Sequence, residues 1–475
     1  MSGGQRARAV SVTATLAIAL AAVVAPWWGH VDDGDAQLYR VVARHMVEDA
    51  TCFELRYLPG VHETFREHLP FGLWPYALGI RILGEGALPA IGALFTLGTL
   101  ALVLATGWRL AGPAAGILSV LVLSATESFA VYGGREKLDP PLLFFATAAV
   151  APLLVGALRA QNLALASAFG AAAALVKGPF GILPLCAAAT ARALQERTAR
   201  SAVQLGVVMA ASTIPLVGFL VWSRSFGDRS WWDGYVMAQL WASASGGRTD
   251  GNFAPWFPLA TLAGRFWPGL PLAGLGAWMA VRGKTERRRE LRLVAVAAAI
   301  VIAGLCVPTR KLWSHALVAY PLLALLAGVA VGPWLERHRG SPARGRIAVG
   351  GLSALAVAMW IAAALGAGKL WLKAPCIAPG AVDSALRRLR PGTEVLVVAT
   401  PFDWKTVAAL ASERRLVPWP MGRPDEAIPP ESRPALALVR EVQLGSPLRG
   451  WREVARSGGW VALEAETIRM GAPNP

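Results

Sequence analysis

Five short polar segments carry the residue types that could do chemistry. The first is Val31-Asp32-Asp33-Gly34-Asp35-Ala36-Gln37-Leu38-Tyr39. Three carboxylates within four residues suit a metal site, a general base or a solvated helix N-terminus, and Asp35 would favourably cap a helix over 36–48. The second, Glu67-His68-Leu69-Pro70-Phe71-Gly72-Leu73-Trp74, offers Glu67 and His68 as metal ligands or as rim residues, with Pro70 suited to a first helical turn. His30, His45, His62 and His68 share that region without a metal-ligand spacing such as HExxH. The third, Gly133-Gly134-Arg135-Glu136-Lys137-Leu138-Asp139-Pro140-Pro141, places Arg135 and Asp139 at a helix start, where Asp139 is also an ordinary N-cap. The fourth and fifth are cations, Lys177 in VKGPFG and Arg310-Lys311 in VPTRKLW. Both lie at span ends where cations are disfavoured, so each asks for a phosphate partner or for snorkelling to headgroups.

The elements that must position these residues are apolar. Of 475 residues, 55% are hydrophobic and 16% charged, and the mean hydropathy is +0.46. A soluble domain keeps about a quarter of its residues charged. The apolar residues run in stretches of roughly twenty, the length that crosses a hydrocarbon core. Spans fit residues 10–28, 87–107, 112–132, 140–158, 161–176, 179–193, 202–222, 256–281, 292–307, 312–334 and 347–368, about eleven in all. Phe71–Leu83 is too short to span and suits an interfacial helix.

The net charge of +16 would suggest nucleic acid in a soluble chain. Here the basic residues sit mostly between apolar runs, and no aromatic-interleaved basic stripe argues for nucleic acid. Arg192–Arg200, RGKTERRRELR and ERHRGSPARGR all fall on one side if the N-terminus is cytoplasmic, as the positive-inside rule requires. The segments 29–86, 223–255 and 369–475 then lie outside, together with all five polar segments. A multi-pass protein of the inner (plasma) membrane is expected, its C-terminal region extracytoplasmic.

From about Gly368 the composition changes. Residues 394–400, 435–440 and 460–466 read as strands and 403–414 as an amphipathic helix. The organisation expected is therefore an all-α membrane bundle over 1–368 with a small α/β domain over 369–475. The Gly-rich 223–255 segment reads as a lid or as a surface loop. Cys52 and Cys376 both fall outside, where a disulfide would persist.

In their order along the chain these segments resemble the polyprenyl-phosphate-sugar-dependent GT-C glycosyltransferases, in the branch of protein O-mannosyltransferases and the lipid A aminoarabinose transferase. Asp35-Ala36-Gln37-Leu38-Tyr39 stands for that family's Asp-Glu-x-x-Tyr, and Glu67–Trp74 for its Glu-Lys-Pro-Pro-Leu with a following Trp. Arg135 and Asp139 stand for a later loop, Lys177-Gly178-Pro179 for Lys-Gly-Pro, and Arg310-Lys311 with Tyr320-Pro321 for a basic pair before Tyr-Pro. Ala36 replaces the family's Glu, and His68 and Leu69 replace Lys and Pro.

The resemblance covers about residues 10–335. It implies an inverting transfer of sugar from a polyprenyl-phosphate donor to an extracytoplasmic acceptor, with Asp35 as general base and Asp139 orienting sugar or acceptor. It also implies that Lys177, Arg310 and Lys311 neutralise the donor phosphate, with Tyr39, Glu67, His68 and Arg135 as further substrate-binding candidates. A divalent metal ion at Glu67 and His68 is an open possibility. The rival class, a membrane transporter or lipid-handling protein, usually carries ionisable groups near mid-membrane. Here the spans are nearly free of them.

Overall fold

The computed structural model describes residues 34–57, 64–126, 135–226, 231–248, 251–267, 269–283, 287–338, 395–398, 416–418, 436–440, 451–457 and 460–465. Spans expected at 10–28 and 347–368, the helix expected at 403–414, and Asp32, Asp33 and Cys376 lie outside the described residues.

The chain divides into two compact units. One comprises Met1–Gly29, Arg66–Pro75 and Gly86–Leu370, and its described part is helical. After a 3-10 turn at Pro70–Gly72 come α3 (Leu88–Ala111), α4 (Pro113–Ser124), α5 (Asp139–Val155), α6 (Ala160–Lys177), α7 (Pro179–Glu196) and α8 (Ala199–Phe226). A π-helix at Trp232–Trp241 leads into α9 (Ala242–Ser245), α10 (Phe257–Arg265), α11 (Leu270–Arg282) and α12 (Arg288–Cys306). A 3-10 segment, Trp313–Ala319, then opens α13 (Tyr320–His338).

The helices begin where the sequence supplies the chemistry for it. Prolines occupy the first turns of α3, α4, α5 and α7, where no intrahelical N–H is needed. Between them the apolar runs satisfy their own backbone groups, the requirement for crossing lipid. Among the described residues, Glu85–Ala111, Ala199–Ser225 and Trp313–Arg337 are long and apolar enough to cross a membrane, and Pro113–Ser124 and Asp139–Val155 are shorter apolar helices. Packing inside the bundle uses small residues. A Cβ on Gly107 would lie 2.9 Å from the Gly116 Cα, so α3 and α4 meet backbone to backbone.

One expected span takes a different form. Residues 256–281 are not one helix but α10 and α11, separated at Phe266–Gly269. The sequence has a proline at 268, and proline carries no N–H to continue a helical ladder. At about 1.5 Å per residue neither piece alone reaches across a hydrocarbon core of about 30 Å.

The two ends of the bundle differ in charge. At one end Arg192 of α7 donates to the carbonyls of Leu153 (3.4 Å) and Gly156 (3.2 Å) behind α5 and pairs with Glu196 at 2.9 Å. Gln195 reaches the Arg289 carbonyl of α12, and Arg292 reaches the Ala280 carbonyl of α11. Arg159, Arg197, Arg200, Arg282, Arg287 and Arg289 are exposed there. At the other end lie the start of α5, the end of α6, the start of α7 and the end of α12.

The second unit comprises His30–Phe65, Tyr76–Glu85 and Trp371–Pro475. Its first helix, α1 (Gly34–Glu48), buries Leu38, Tyr39, Val41, Val42, Ala43 and Met46. The fork of Arg44 grips the Glu85 carboxylate, with Nη2 to Oε2 at 2.7 Å. Helix α2 (Trp74–Leu83) has 10 residues, too short to cross a membrane, and exposes Trp74, Leu78, Ile82 and Leu83. Five strands form one sheet in the order β2-β1-β3-β5-β4: β1 (Val395–Val398), β2 (Leu416–Pro418), β3 (Leu436–Arg440), β4 (Trp451–Ser457) and β5 (Trp460–Ala465). β1 pairs in parallel with β2 and β3, while β3–β5 and β5–β4 are antiparallel, with an irregularity between Glu453 and Ala455. β1, β3 and β5 occupy the apolar segments that suggested strands.

Candidate active site

Asp139 and Lys177 meet. The Lys177 Nζ donates to Asp139 Oδ1 at 2.8 Å, and only 15% and 6% of the two side chains is exposed. Helix polarity places both well. Asp139 is the first residue of α5, where the dipole favours an anion, and Lys177 the last of α6, where it favours a cation. A lysine ammonium has three donors, so the pair leaves Lys177 further bonding capacity. Arg135, Glu136 and Lys137, leading into α5, are buried, and Lys137 acts electrostatically on Asp139.

His68 lies within the field of Lys177, Asp139, Arg248 and Arg310. Burial, then the Lys177 charge, lowers its pKa from the usual 6.5 to about 3, against the opposing pull of Asp139. The imidazole is therefore neutral throughout the physiological range. Because the unfolded chain binds the proton more readily, stability contributed here declines as pH falls from about 6.5 toward 3. The His68 ring nitrogens are expected to show no protonation between pH 5 and 8 in nitrogen NMR of the selectively labelled protein. A midpoint near 6.5 would contradict the lowering by desolvation and the Lys177 charge.

His315 feels the same Lys177, Asp139, Arg310 and His68 charges and packs its ring on Phe180, centroids 4.1 Å apart. Arg310 and Lys311 leave α12 in a short pairing with the 242–252 segment. The Arg310 N–H donates to the Ser243 carbonyl at 2.9 Å, and Lys311 and Asn252 exchange backbone bonds of 2.8 and 3.0 Å. Lys311 is buried and spends its ammonium on the carbonyls of Pro308 (2.6 Å) and Thr309 (3.3 Å), bracing this turn. The 223–255 segment is thus built structure over its described part, carrying Arg248 into the field of His68.

Glu67 is exposed and accepts a 2.8 Å bond from the Gln239 amide. Among the described residues, no group of three or more His, Cys, Asp and Glu gathers as a metal site. Glu67 gives one carboxylate oxygen to Gln239, and His68 lies in the field of Asp139 as well as of Lys177, Arg248 and Arg310. Asp35 and Tyr39 belong to the other unit, on α1. Asp35 is half-buried in the first turn and Tyr39 is buried one turn later.

Sequence reasoning missed Arg248, His315 and the π-helix. Arg248 sits in SASGGRTDGN, a composition that says only loop. His315 carried a usable signal, a polar side chain at the start of an apolar span.

No protein-family model matches the chain, and no curated protein matches its sequence. Solved structures do. The chain shares its fold with solved proteins that are GT-C glycosyltransferases. It is similar over 100% of both chains to ArnT from Cupriavidus metallidurans bound to undecaprenyl phosphate, at 19% identity and a TM-score of 0.71. It is similar to the oligosaccharyltransferase AglB from Archaeoglobus fulgidus, in complex with an inhibitory peptide and a dolichol-phosphate. That match has 13% identity, a TM-score of 0.55, and coverage of 93% of this chain and 70% of that one. The arabinofuranosyltransferase AftD from Mycobacteria matches at 15% identity and a TM-score of 0.51, over 98% of this chain and 40% of that one.

Proposed function

We propose that this chain is an integral membrane glycosyltransferase that moves a hexosyl or pentosyl group from a polyprenyl-phosphate donor to an extracytoplasmic acceptor. The observation that carries the reading is the buried Asp139–Lys177 contact at one bundle end, with His68 and His315 in the electrostatic field of that pair and of Arg310, and His68 also in that of Arg248. Two solved proteins of the same fold, ArnT and AglB, hold a polyprenyl phosphate or a dolichol-phosphate. The arginine-rich opposite end faces the cytoplasm under the positive-inside rule, which puts the site outside. About eleven spans over 1–368 form the catalytic module, and 369–475 forms an α/β domain beyond the membrane.

In the reaction, Asp35 takes the proton from an acceptor hydroxyl or phosphate oxygen. That oxygen bonds to the anomeric carbon as the bond from the anomeric carbon to the donor phosphate oxygen breaks, inverting the centre. The electron pair leaves with the lipid phosphate. Lys177, Arg310 and Arg248 stabilise the charge that builds there, where fixed cations in a water-poor site act most strongly. Lys311 fixes the turn that carries Arg310. Asp139 holds the Lys177 ammonium in place and orients the sugar or acceptor. Tyr39, Glu67, His68 and Arg135 are the further substrate-binding residues of this reading, with His68 acting as a neutral hydrogen-bonding group.

The test is transfer of radiolabelled sugar from extracted polyprenyl-phosphate sugars by the purified protein in liposomes. Labelled acceptor with release of free polyprenyl phosphate is expected, and Arg310→Ala should raise the donor KM about tenfold or more. Donor crossing the bilayer unchanged, with no labelled acceptor, would assign the chain to lipid transport instead.

A further inference from the structure

The hydroxyl of Tyr235 has no hydrogen-bond partner among the described residues, although only 3% of the residue is exposed. Buried tyrosines ordinarily satisfy that group. Its location is specific. A Cβ built on Gly178 would overlap the Tyr235 oxygen, so the hydroxyl sits directly over the turn that joins Lys177 to α7. Gly178 has φ of +56°, a conformation glycine adopts without penalty, and is the N-cap of the 18-residue α7. The first N–H groups of such a helix, with its dipole, favour an anion.

The π-helix delivers Tyr235 to this point. Trp231 lies under the Arg66 guanidinium at 4.5 Å, Gly234 packs against the Arg66 side chain, and Gln239 holds Glu67. The element is thus fastened on both sides of Tyr235. π-helical turns are rare and recur at functional sites. Burial raises the Tyr235 pKa above its ordinary value, so the phenol keeps its proton and remains a donor.

We infer that Tyr235 is a ligand-binding residue, donating a hydrogen bond to a phosphoryl oxygen held between Lys177 and the start of α7. The inference rests on the proposed function for its ligand, the phosphate of a polyprenyl phosphate. The bond is to a charged acceptor, the stronger class.

The test measures binding of polyprenyl phosphate, of the corresponding polyprenol and of inorganic phosphate to the full chain in nanodiscs. Tyr235→Phe keeps the ring and its packing. It is expected to weaken polyprenyl-phosphate binding about tenfold, to leave polyprenol binding unchanged, and to raise the donor KM with kcat nearly constant. Gly178→Ala, which displaces the hydroxyl, should weaken phosphate binding in the same way. Inorganic phosphate competing for the site in wild type and less well in Tyr235→Phe would support the phosphoryl contact. Equal polyprenyl-phosphate affinity in wild type and Tyr235→Phe overturns the assignment of Tyr235 alone. Wild type binding polyprenol as tightly as polyprenyl phosphate overturns both this inference and the proposed donor.

Discussion

Asp35→Asn is expected to reduce sugar transfer by about 10²–10⁴-fold while the protein reaches the membrane at normal levels. Asparagine matches aspartate in size but cannot take the acceptor proton. The structural cost is small by comparison. Asp35 lies in the first turn of α1, where loss of one negative charge at the dipole costs about 0.3–1 kcal/mol. The loss of general-base catalysis corresponds to about 3–5 kcal/mol of barrier. α1 keeps its buried face and its Arg44–Glu85 clamp in the variant. Donor binding should be unaffected, since the variant removes no cation near the phosphate. Transfer at the wild-type rate would remove Asp35 from the chemistry and leave its acidic neighbours as a solvated helix start.

The second large effect concerns Lys177. Lys177→Ala deletes a cation from the proposed phosphate site and leaves the Asp139 carboxylate buried without its 2.8 Å partner. Removing one member of a buried pair typically costs about 3–5 kcal/mol, because the remaining charge stays desolvated. The single variant should therefore lose both activity and folded yield. Lys177→Met combined with Asp139→Asn separates the two. With neither charge present the folded yield should recover, as buried pairs often exchange for neutral groups at little cost, while donor binding remains lost. Detergent-solubilised yield and polyprenyl-phosphate affinity, measured side by side, check this. Restored donor binding in the double variant would mean that Lys177 serves only the fold.

The segments that became helices were legible because a membrane leaves few options. Apolar runs must satisfy their own backbone groups, so α3, α5, α6, α7, α8 and α12 fall where hydropathy placed helices. The break between α10 and α11 was less visible, since Pro268 within an apolar run reads as readily as a kink. Lys177 and Asp139 stood out separately as polar groups at helix ends, but their pairing spans 38 positions and depends on how α5 packs against α6. Lys311 was expected beside Arg310 at the donor phosphate, and the carbonyls of Pro308 and Thr309 take two of its three ammonium donors. Arg248, His315 and Tyr235 share no sequence pattern at all. The π-helix carries Tyr235, the segment paired with Lys311 through Asn252 carries Arg248, and a 3-10 segment carries His315; none of these has a compositional signature.

The most direct test of the central claim is a cryo-EM structure of the chain in nanodiscs with a polyprenyl phosphate. The account predicts phosphate density within hydrogen-bond distance of Lys177 and Arg310, at the bundle end opposite the arginine-rich helix termini. Phosphate density at the arginine-rich end, with none near Lys177, would contradict it.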